Sequence, residues 1–212
     1  MPKTIKNILI VFLIIVLVIG ATKVFGIQKY LMFKMYPKTY SEYVMKYAEE
    51  YGVDPLLIFA VIKAESNFDN TVVSNSNAKG VMQLMDNTAE EVALYVMDDY
   101  ESDMLFDAEI NIKLGTKYLS DLLNKYGNYY VAVAAYNAGT GTVDKWIEKG
   151  IIEPDGSNIE QIPYKETNSY VRKIIRDYGI YTDLYKSWEL KQKKDSLIGS
   201  WRKSWKIILK QQ

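Results

Sequence analysis

Residues 54–65 have the sequence DPLLIFAVIKAE, an apolar run that begins with Asp-Pro and ends on a carboxylate. Asp followed by Pro is a helix-start signal, because Asp caps a backbone N–H and Pro fits the first helical position. Apolar residues fill positions 56–62 without interruption. A helix that is apolar all round is buried, so the sequence predicts a buried helix over residues 55–67.

Glu65 would lie in the last turn of this helix, with Val61 and Ile58 one and two turns before it on the same face. A carboxylate in such surroundings must be paired or lie at the edge of a cavity. Partial desolvation would raise its pKa towards the working pH, as a general acid requires. Position alone leaves a second interpretation open, a structural acid that caps the following loop.

Helix signals continue through the rest of the chain, and no convincing strand pattern or internal repeat is present. Glycines after the apolar runs and an Asp at position 107 mark helix ends. Asn87, with Glu90 three residues later, predicts a capping box. The body is therefore expected to be all-α. The predicted helices cover residues 40–51, 55–67, 80–86, 88–97, 108–126, 129–137, 142–149 and 166–178.

The composition excludes several kinds of enzyme. The 212 residues include no Cys and no His. Thiolate nucleophiles, Ser-His-Asp and Cys-His catalysis, and the usual zinc hydrolase sites are therefore absent. Acid-base chemistry in this chain must come from carboxylates, Tyr or Lys.

Charge is unevenly distributed although the formal net charge is zero. Residues 1–38 carry six Lys and no acid, and residues 186–212 carry eight basic residues against two acids. Between them, residues 39–185 carry 12 basic and 24 acidic residues. An acidic body argues against binding to nucleic acid. The basic ends suit contact with anionic lipids or wall polymers.

The N-terminus contains an uncharged stretch, residues 7–22, that is mostly apolar. It predicts either a retained transmembrane helix, extended by snorkelling lysines, or the core of a cleaved signal peptide. Bulky residues at the candidate cleavage sites favour the retained anchor. At the other end, residues 187–212 place Leu197, Trp201, Trp205 and Ile208 at helical spacing with Lys and Arg between them, which fits a membrane surface or packing on the body equally well.

Four motifs occur in a fixed order along the body: AESNF at 64–68, AKGVMQLM at 78–85, AAYNAG at 134–139 and ETNSY at 166–170. Together they resemble the catalytic domain of the soluble-lytic-transglycosylase (SLT) type, in the lysozyme-like superfamily, over about residues 40–182. The resemblance implies an all-α lysozyme-like domain of the goose-type/SLT kind.

The resemblance also assigns roles to individual residues. Glu65 matches the family's catalytic acid and base. Each other matched residue has a structural alternative, as core, cap or packing residue. Three positions depart from the family pattern: Val81 stands where Leu is usual, Asn77 where Gly is usual, and Asp86 where Pro is frequent. The implied substrate-binding residues are Ser74, Met82, Gln83, Tyr136, Asn137, Glu166 and Tyr170.

The implied reaction cleaves the MurNAc-GlcNAc β-1,4 bond of peptidoglycan strands without hydrolysis. Glu65 would protonate the glycosidic oxygen and then take a proton from the sugar's own C6 hydroxyl, which leaves a 1,6-anhydro end. Proximity replaces an activated water in this route, and no metal or cofactor is needed. A hydrolytic muramidase of the goose-lysozyme type is the alternative enzyme, and a wall-remodelling or wall-binding subunit of an envelope assembly is the other class.

The predicted organisation places the catalytic domain on the outer face of the cytoplasmic membrane, held by a single span. Its partners would be glycan strands, the membrane and proteins of an envelope assembly. The predicted segments are a cytoplasmic N-terminus at 1–6, the anchor at 7–22, a linker at 23–39, the catalytic domain at 40–185 and the basic tail at 186–212.

Overall fold

The computed structural model describes residues 3–186, and helices make up most of this part of the chain. Within it no strand forms, and only two isolated bridges occur, between Val73 and Lys79 and between Lys79 and Leu84. The predicted all-α body is confirmed. The helices are α1 (Lys3–Met35), α2 (Ser41–Tyr51), α3 (Pro55–Glu65), α4 (Asp86–Ala93), α5 (Ala108–Tyr126), α6 (Tyr129–Ala138), α7 (Thr140–Glu148) and α8 (Lys165–Tyr181), with 3-10 helices at Ser102–Phe106 and Ile159–Gln161 and a π-helical turn at Thr182–Lys186.

The chain divides into two compact units, and the first ends at Pro37. In this unit α1 continues through most of the predicted linker, residues 23–39, and ends at Met35. Taken over the residues that the structure describes, no helix is long and apolar enough to cross a membrane. The predicted tail helix, residues 187–212, lies outside the described residues.

Two helices that are apolar on all sides form the centre of the second unit. In α3 every residue from Leu57 to Ile62 is buried, and in α6 every residue from Val131 to Ala135 is buried. The helix α3 packs against α8 and α2, while α6 packs against α5, α7 and α8. This surrounding layer explains why neither central helix has a polar face. Both helices end at the same cleft, described below.

Side-chain caps fix where the central helices begin. The Asp54 carboxylate accepts the backbone N–H of Leu56 at 2.8 Å, and the Asp107 carboxylate accepts that of Ile110 at 3.0 Å. Both caps agree with the sequence prediction. Asn128 caps α6 in the same way. Each cap satisfies backbone donors that the helix cannot pair internally.

The helix predicted over residues 80–86 is wrong. Gly80 and Gln83 have left-handed φ angles of 74° and 49°, which a right-handed helix does not allow. The segment is instead a chain of turns, held by paired backbone hydrogen bonds between Lys79 and Leu84 at 2.9 and 3.1 Å. Its conformation therefore depends on contacts distant in sequence rather than on local helical spacing.

The predicted capping box of Asn87 and Glu90 is also wrong, because α4 begins two residues earlier than predicted. Asp86 is its first residue and Met85 its N-cap, without a side-chain hydrogen bond. The Asp86 carboxylate accepts hydrogen bonds from Lys79 at 2.9 Å and from Ser102 at 2.6 Å.

Gly80→Ala should destabilise the protein by at least about 2 kcal/mol, because φ is positive there and a Cβ would lie 2.1 Å from the Leu105 carbonyl oxygen. Urea unfolding measures the change. Gly141→Ala is the matched control: it lies inside α7 with nothing within 4 Å of a Cβ, so it should be neutral or stabilise by up to about 1 kcal/mol. Equal stability of the two variants would contradict this account of the turn.

Candidate active site

Glu65 is the last residue of α3, and the chain turns sharply after it. Ser66 is the C-cap, and Asn67 and Phe68 follow with left-handed φ angles of 51° and 71°. The Ser66 hydroxyl donates to the Val81 carbonyl at 2.8 Å and accepts the Phe68 N–H at 3.1 Å. Two consecutive non-glycine residues at positive φ are unusual and costly, and such strain often occurs at functional sites.

The Glu65 carboxyl is half-buried and receives a short hydrogen bond from α8. The Tyr170 hydroxyl donates to Glu65 Oε1 at 2.6 Å. One turn further along α8, the Lys173 ammonium donates to the Ala64 carbonyl at 2.7 Å, which brings a positive charge close to the carboxyl. These contacts join the end of α3 to α8 at the site.

Desolvation dominates the acidity of this carboxyl. Burial raises the pKa of Glu65 to about 7, against the opposing effects of the Tyr170 hydrogen bond and the Lys173 charge, which favour the ionised form. A carboxyl with a pKa near 7 is substantially protonated in neutral solution. It can therefore donate a proton at the pH at which most proteins work.

Two tyrosines beside Glu65 remain neutral donors. Burial and the Glu65 charge raise the pKa of Tyr170 and that of Tyr136 well above 10. The Tyr136 hydroxyl, at the end of α6, donates to the Met82 carbonyl at 2.8 Å. Tyr136 thereby fixes the 78–85 segment against α6, while Tyr170 orients the carboxyl itself.

A cleft of about 340 Å³ opens in front of Glu65. Six of the eight residues predicted for the site line it, and Tyr170 adjoins it through its hydrogen bond to Glu65. All four sequence motifs, far apart in the chain, thus meet at one cavity. The predicted residues that line it are Glu65, Ser74, Gln83, Tyr136, Asn137 and Glu166.

Ser74 and Gln83 both hold the loop that forms one wall of the cleft. The Ser74 hydroxyl oxygen accepts the N–H groups of Ser76 at 3.2 Å and Ala78 at 3.0 Å. The Gln83 amide nitrogen donates to the carbonyls of Val72 at 3.0 Å and Gly80 at 2.8 Å. These bonds use the Ser74 oxygen as an acceptor and the Gln83 nitrogen as a donor. The Ser74 O–H can therefore still donate to a ligand in the cleft, and the Gln83 side-chain carbonyl can still accept from one.

The prediction that the Met82 side chain contacts substrate does not fit the structure. Met82 is fully buried, and its sulfur packs so closely on Gly115 that a Cβ there would be 2.5 Å away. Met85, three residues later, is 43% exposed and lines the cleft. In a helix both methionines would share a face, but in the actual turn they lie on opposite sides of the segment.

Three further residues position the site, and sequence reasoning missed them. Ser66 and Lys173 fix the end of α3, as described above. Asn111 is buried on α5 and binds three backbone groups: it accepts the Met82 N–H at 2.8 Å and donates to the carbonyls of Lys79 and Leu105, both at 2.9 Å. Lys173 could have been found from sequence, because it lies three residues after Tyr170 and so shares its helix face. Nothing in the sequence around Asn111 indicates its role.

Comparison with known proteins is consistent with this geometry. The Transglycosylase SLT domain family matches residues 42–153, more than half of the chain. The soluble lytic murein transglycosylase of Salmonella typhimurium is 32% identical over 144 residues, which cover 66% of this chain and 22% of that protein. The membrane-bound lytic murein transglycosylase C of Edwardsiella ictaluri is 37% identical over 115 residues, covering 49% and 32% respectively.

Solved structures agree in fold. A lytic transglycosylase from Pseudomonas aeruginosa, solved as an inactive mutant, superposes with a TM-score of 0.66 at 32% identity and covers 71% of this chain and 25% of its own. A complex of the 70-kDa soluble lytic transglycosylase with bulgecin A gives a TM-score of 0.68 at 28% identity, covering 73% and 26%. This chain belongs to the SLT transglycosylase domain family of the lysozyme-like superfamily. It spans about a quarter of the length of the curated relatives it matches.

Glu65→Gln should stabilise the folded protein above pH 7 by about 1 to 3 kcal/mol. The pKa of Glu65 is about 7 in the folded protein and 4.5 in the unfolded chain. Below pH 4.5 Glu65 is protonated in both states, so its burial then costs no free energy of deprotonation. As the pH rises from about 4.5 to about 7, the unfolded chain loses its proton first, and stability is lost. Urea unfolding from pH 4 to pH 8 measures this. A variant no more stable than the parent at pH 8 would show that Glu65 is not desolvated.

Proposed function

We propose that this protein is a peptidoglycan lytic transglycosylase, with Glu65 as the acid and then the base. The observation that supports this most is the desolvated Glu65 carboxyl at the wall of a cleft, hydrogen-bonded to a neutral Tyr170. The second carboxylate on the cleft, Glu166, is exposed in the first turn of α8. A single desolvated acid fits a reaction that needs no activated water better than one that flanks the bond with two carboxylates.

In the proposed reaction Glu65 gives its proton to the glycosidic oxygen, and the bond between C1 and that oxygen breaks. The C6 hydroxyl oxygen of the same sugar then bonds to C1, and its proton returns to Glu65. No water is consumed, and the enzyme regains its starting protonation state. The Tyr170 hydrogen bond stabilises the carboxylate between the two transfers, when the oxocarbenium-like sugar is present.

Polar side-chain groups that the hydrogen bonds within the loop do not use would bind the N-acetylated sugars. The Gln83 carbonyl can accept an acetamido N–H, and the Ser74 hydroxyl and Asn137 can hydrogen-bond sugar oxygens. Met85 offers an exposed apolar surface for a sugar face. The names of the relatives, soluble and membrane-bound lytic murein transglycosylases, support the same substrate for this chain.

Glu65→Gln should lower turnover of purified peptidoglycan by at least about 100-fold, because the proton donor is removed while the fold is retained. Mass spectrometry of the products released by the parent protein should show anhydro sugar ends.

In the parent protein the rate of peptidoglycan cleavage should fall as the pH rises through about 7, as Glu65 loses its proton. The exposed Glu148→Gln on α7 is the control and should retain activity. Full activity of the Glu65 variant contradicts the proposal, and ends heavier by one water would favour a hydrolytic muramidase.

We also propose that the apolar N-terminal stretch, residues 7–22, anchors the enzyme in the cytoplasmic membrane with the cleft outside. The support is the sequence of that stretch and the membrane-bound relative's name. Against it stand the relatives named soluble and the finding that no helix among the described residues is long and apolar enough to cross a membrane. After cell fractionation, the full chain should remain in membranes washed with high salt, and a chain starting at Lys38 should not. Recovery of both forms in the same fraction would contradict the anchor. Envelope assembly partners stay a prediction.

A further inference from the structure

A second cleft, of about 450 Å³, is formed by α4, α5 and the junction between α6 and α7. It lies beside the Glu65 cleft. The Tyr136 ring, which lines the first cleft, packs against the Tyr118 ring of the second with centroids 5.2 Å apart. Gly139 of the second cleft follows Asn137 of the first by two residues. The two clefts are therefore neighbours, with the Tyr118–Tyr136 ring pair between them.

The second cleft carries one uncompensated negative charge. Lys125 and Asp121, which both line it, are each engaged in an ion pair, with Asp144 at 2.7 Å and with Lys117 at 2.6 Å. Across the described residues, 3–186, no ion pair involves Glu91.

The wall around this charge is aromatic. Tyr95 lies four residues after Glu91, just beyond the end of α4, and is 78% exposed, and Tyr118 faces the same cleft from α5. The Glu91 charge adds to burial in raising the pKa of Tyr118, so the two groups interact. A cleft lined by a carboxylate and two tyrosines is suited to an organic ammonium group, through charge and cation–π contact.

Neutral sugars gain little from such a site, but the peptides carried by muramyl sugars contain a diamino acid whose side-chain amine is cationic. We propose that the second cleft binds this peptide amine, with Glu91 as its counter-ion, so that the enzyme prefers strands whose peptides keep a free amine. This inference rests on the proposed function. Glu91 is exposed, so solvent screening keeps the preference moderate.

The test compares uncross-linked glycan strands, N-acetylated on every sugar, in three forms: peptide with a free amine, peptide with the amine acetylated, and no peptide. The parent protein should cleave the free-amine form with a kcat/KM roughly 3- to 10-fold above the acetylated form. In Glu91→Gln this ratio should fall to about one. In Glu90→Gln, which removes the neighbouring exposed carboxylate outside this cleft, the ratio should persist.

A ratio of about one in the parent protein, or an unchanged ratio in Glu91→Gln, would overturn the amine site. Calorimetry of the same strands binding to Glu65→Gln compares the affinities for the free-amine and acetylated forms without cleavage. Equal affinity for free and acetylated amines there overturns the inference. Preference in binding together with no cleavage by the parent protein would instead overturn the proposed function and leave the amine site supported.

Discussion

The withdrawal of one carboxyl group from water is the constraint on which the rest of the site depends. Glu65 ends a helix whose preceding residues from Leu57 to Ile62 are all buried, so the packing that stabilises the domain also desolvates the acid. Removing water raises the pKa, and the Tyr170 hydroxyl and the Lys173 charge limit the rise. The resulting pKa near 7 is a balance between packing and polar contacts, and it suits a group that must give a proton and then take one back.

The wall of the cleft opposite Glu65 is made without regular secondary structure, and side chains hold it in place. Ser66, Asn111 and Tyr136 bind backbone groups of residues 79–82 from three different helices or helix ends. Left-handed conformations at Asn77 and Gln83 fold the segment back on itself. Asn tolerates this region better than most residues other than Gly, which suits it to position 77. Strain in the loop is thus offset by hydrogen bonds from the rigid helices around it.

The helices α3, α5 and α6 could be predicted from sequence because their signals are local: apolar positions, an Asp or Asn cap and, for α5 and α6, a terminal Gly. The segment 80–86 could not, because its turns are fixed by Asn111, which lies 29 residues after Met82. That error also misplaced the methionines, since a helix would have put Met82 and Met85 on one face. Motif resemblance identified most residues that line the cleft, but not Ser66 or Lys173, whose roles are to position Glu65.

Tyr136 lines the Glu65 cleft and packs against Tyr118 of the second cleft, so one ring adjoins both the cleft of the proposed acid and the surface proposed to sense the peptide. The central claim, however, concerns Glu65 alone: that the folded protein keeps this carboxyl protonated near neutral pH. Carbon-13 NMR titration of the Glu65 side-chain carboxyl, assigned by its loss in Glu65→Gln, tests this directly. The account predicts a midpoint at about pH 7, moving higher in Tyr170→Phe because a donor to the carboxylate is lost. A midpoint near the ordinary 4.5 would contradict it.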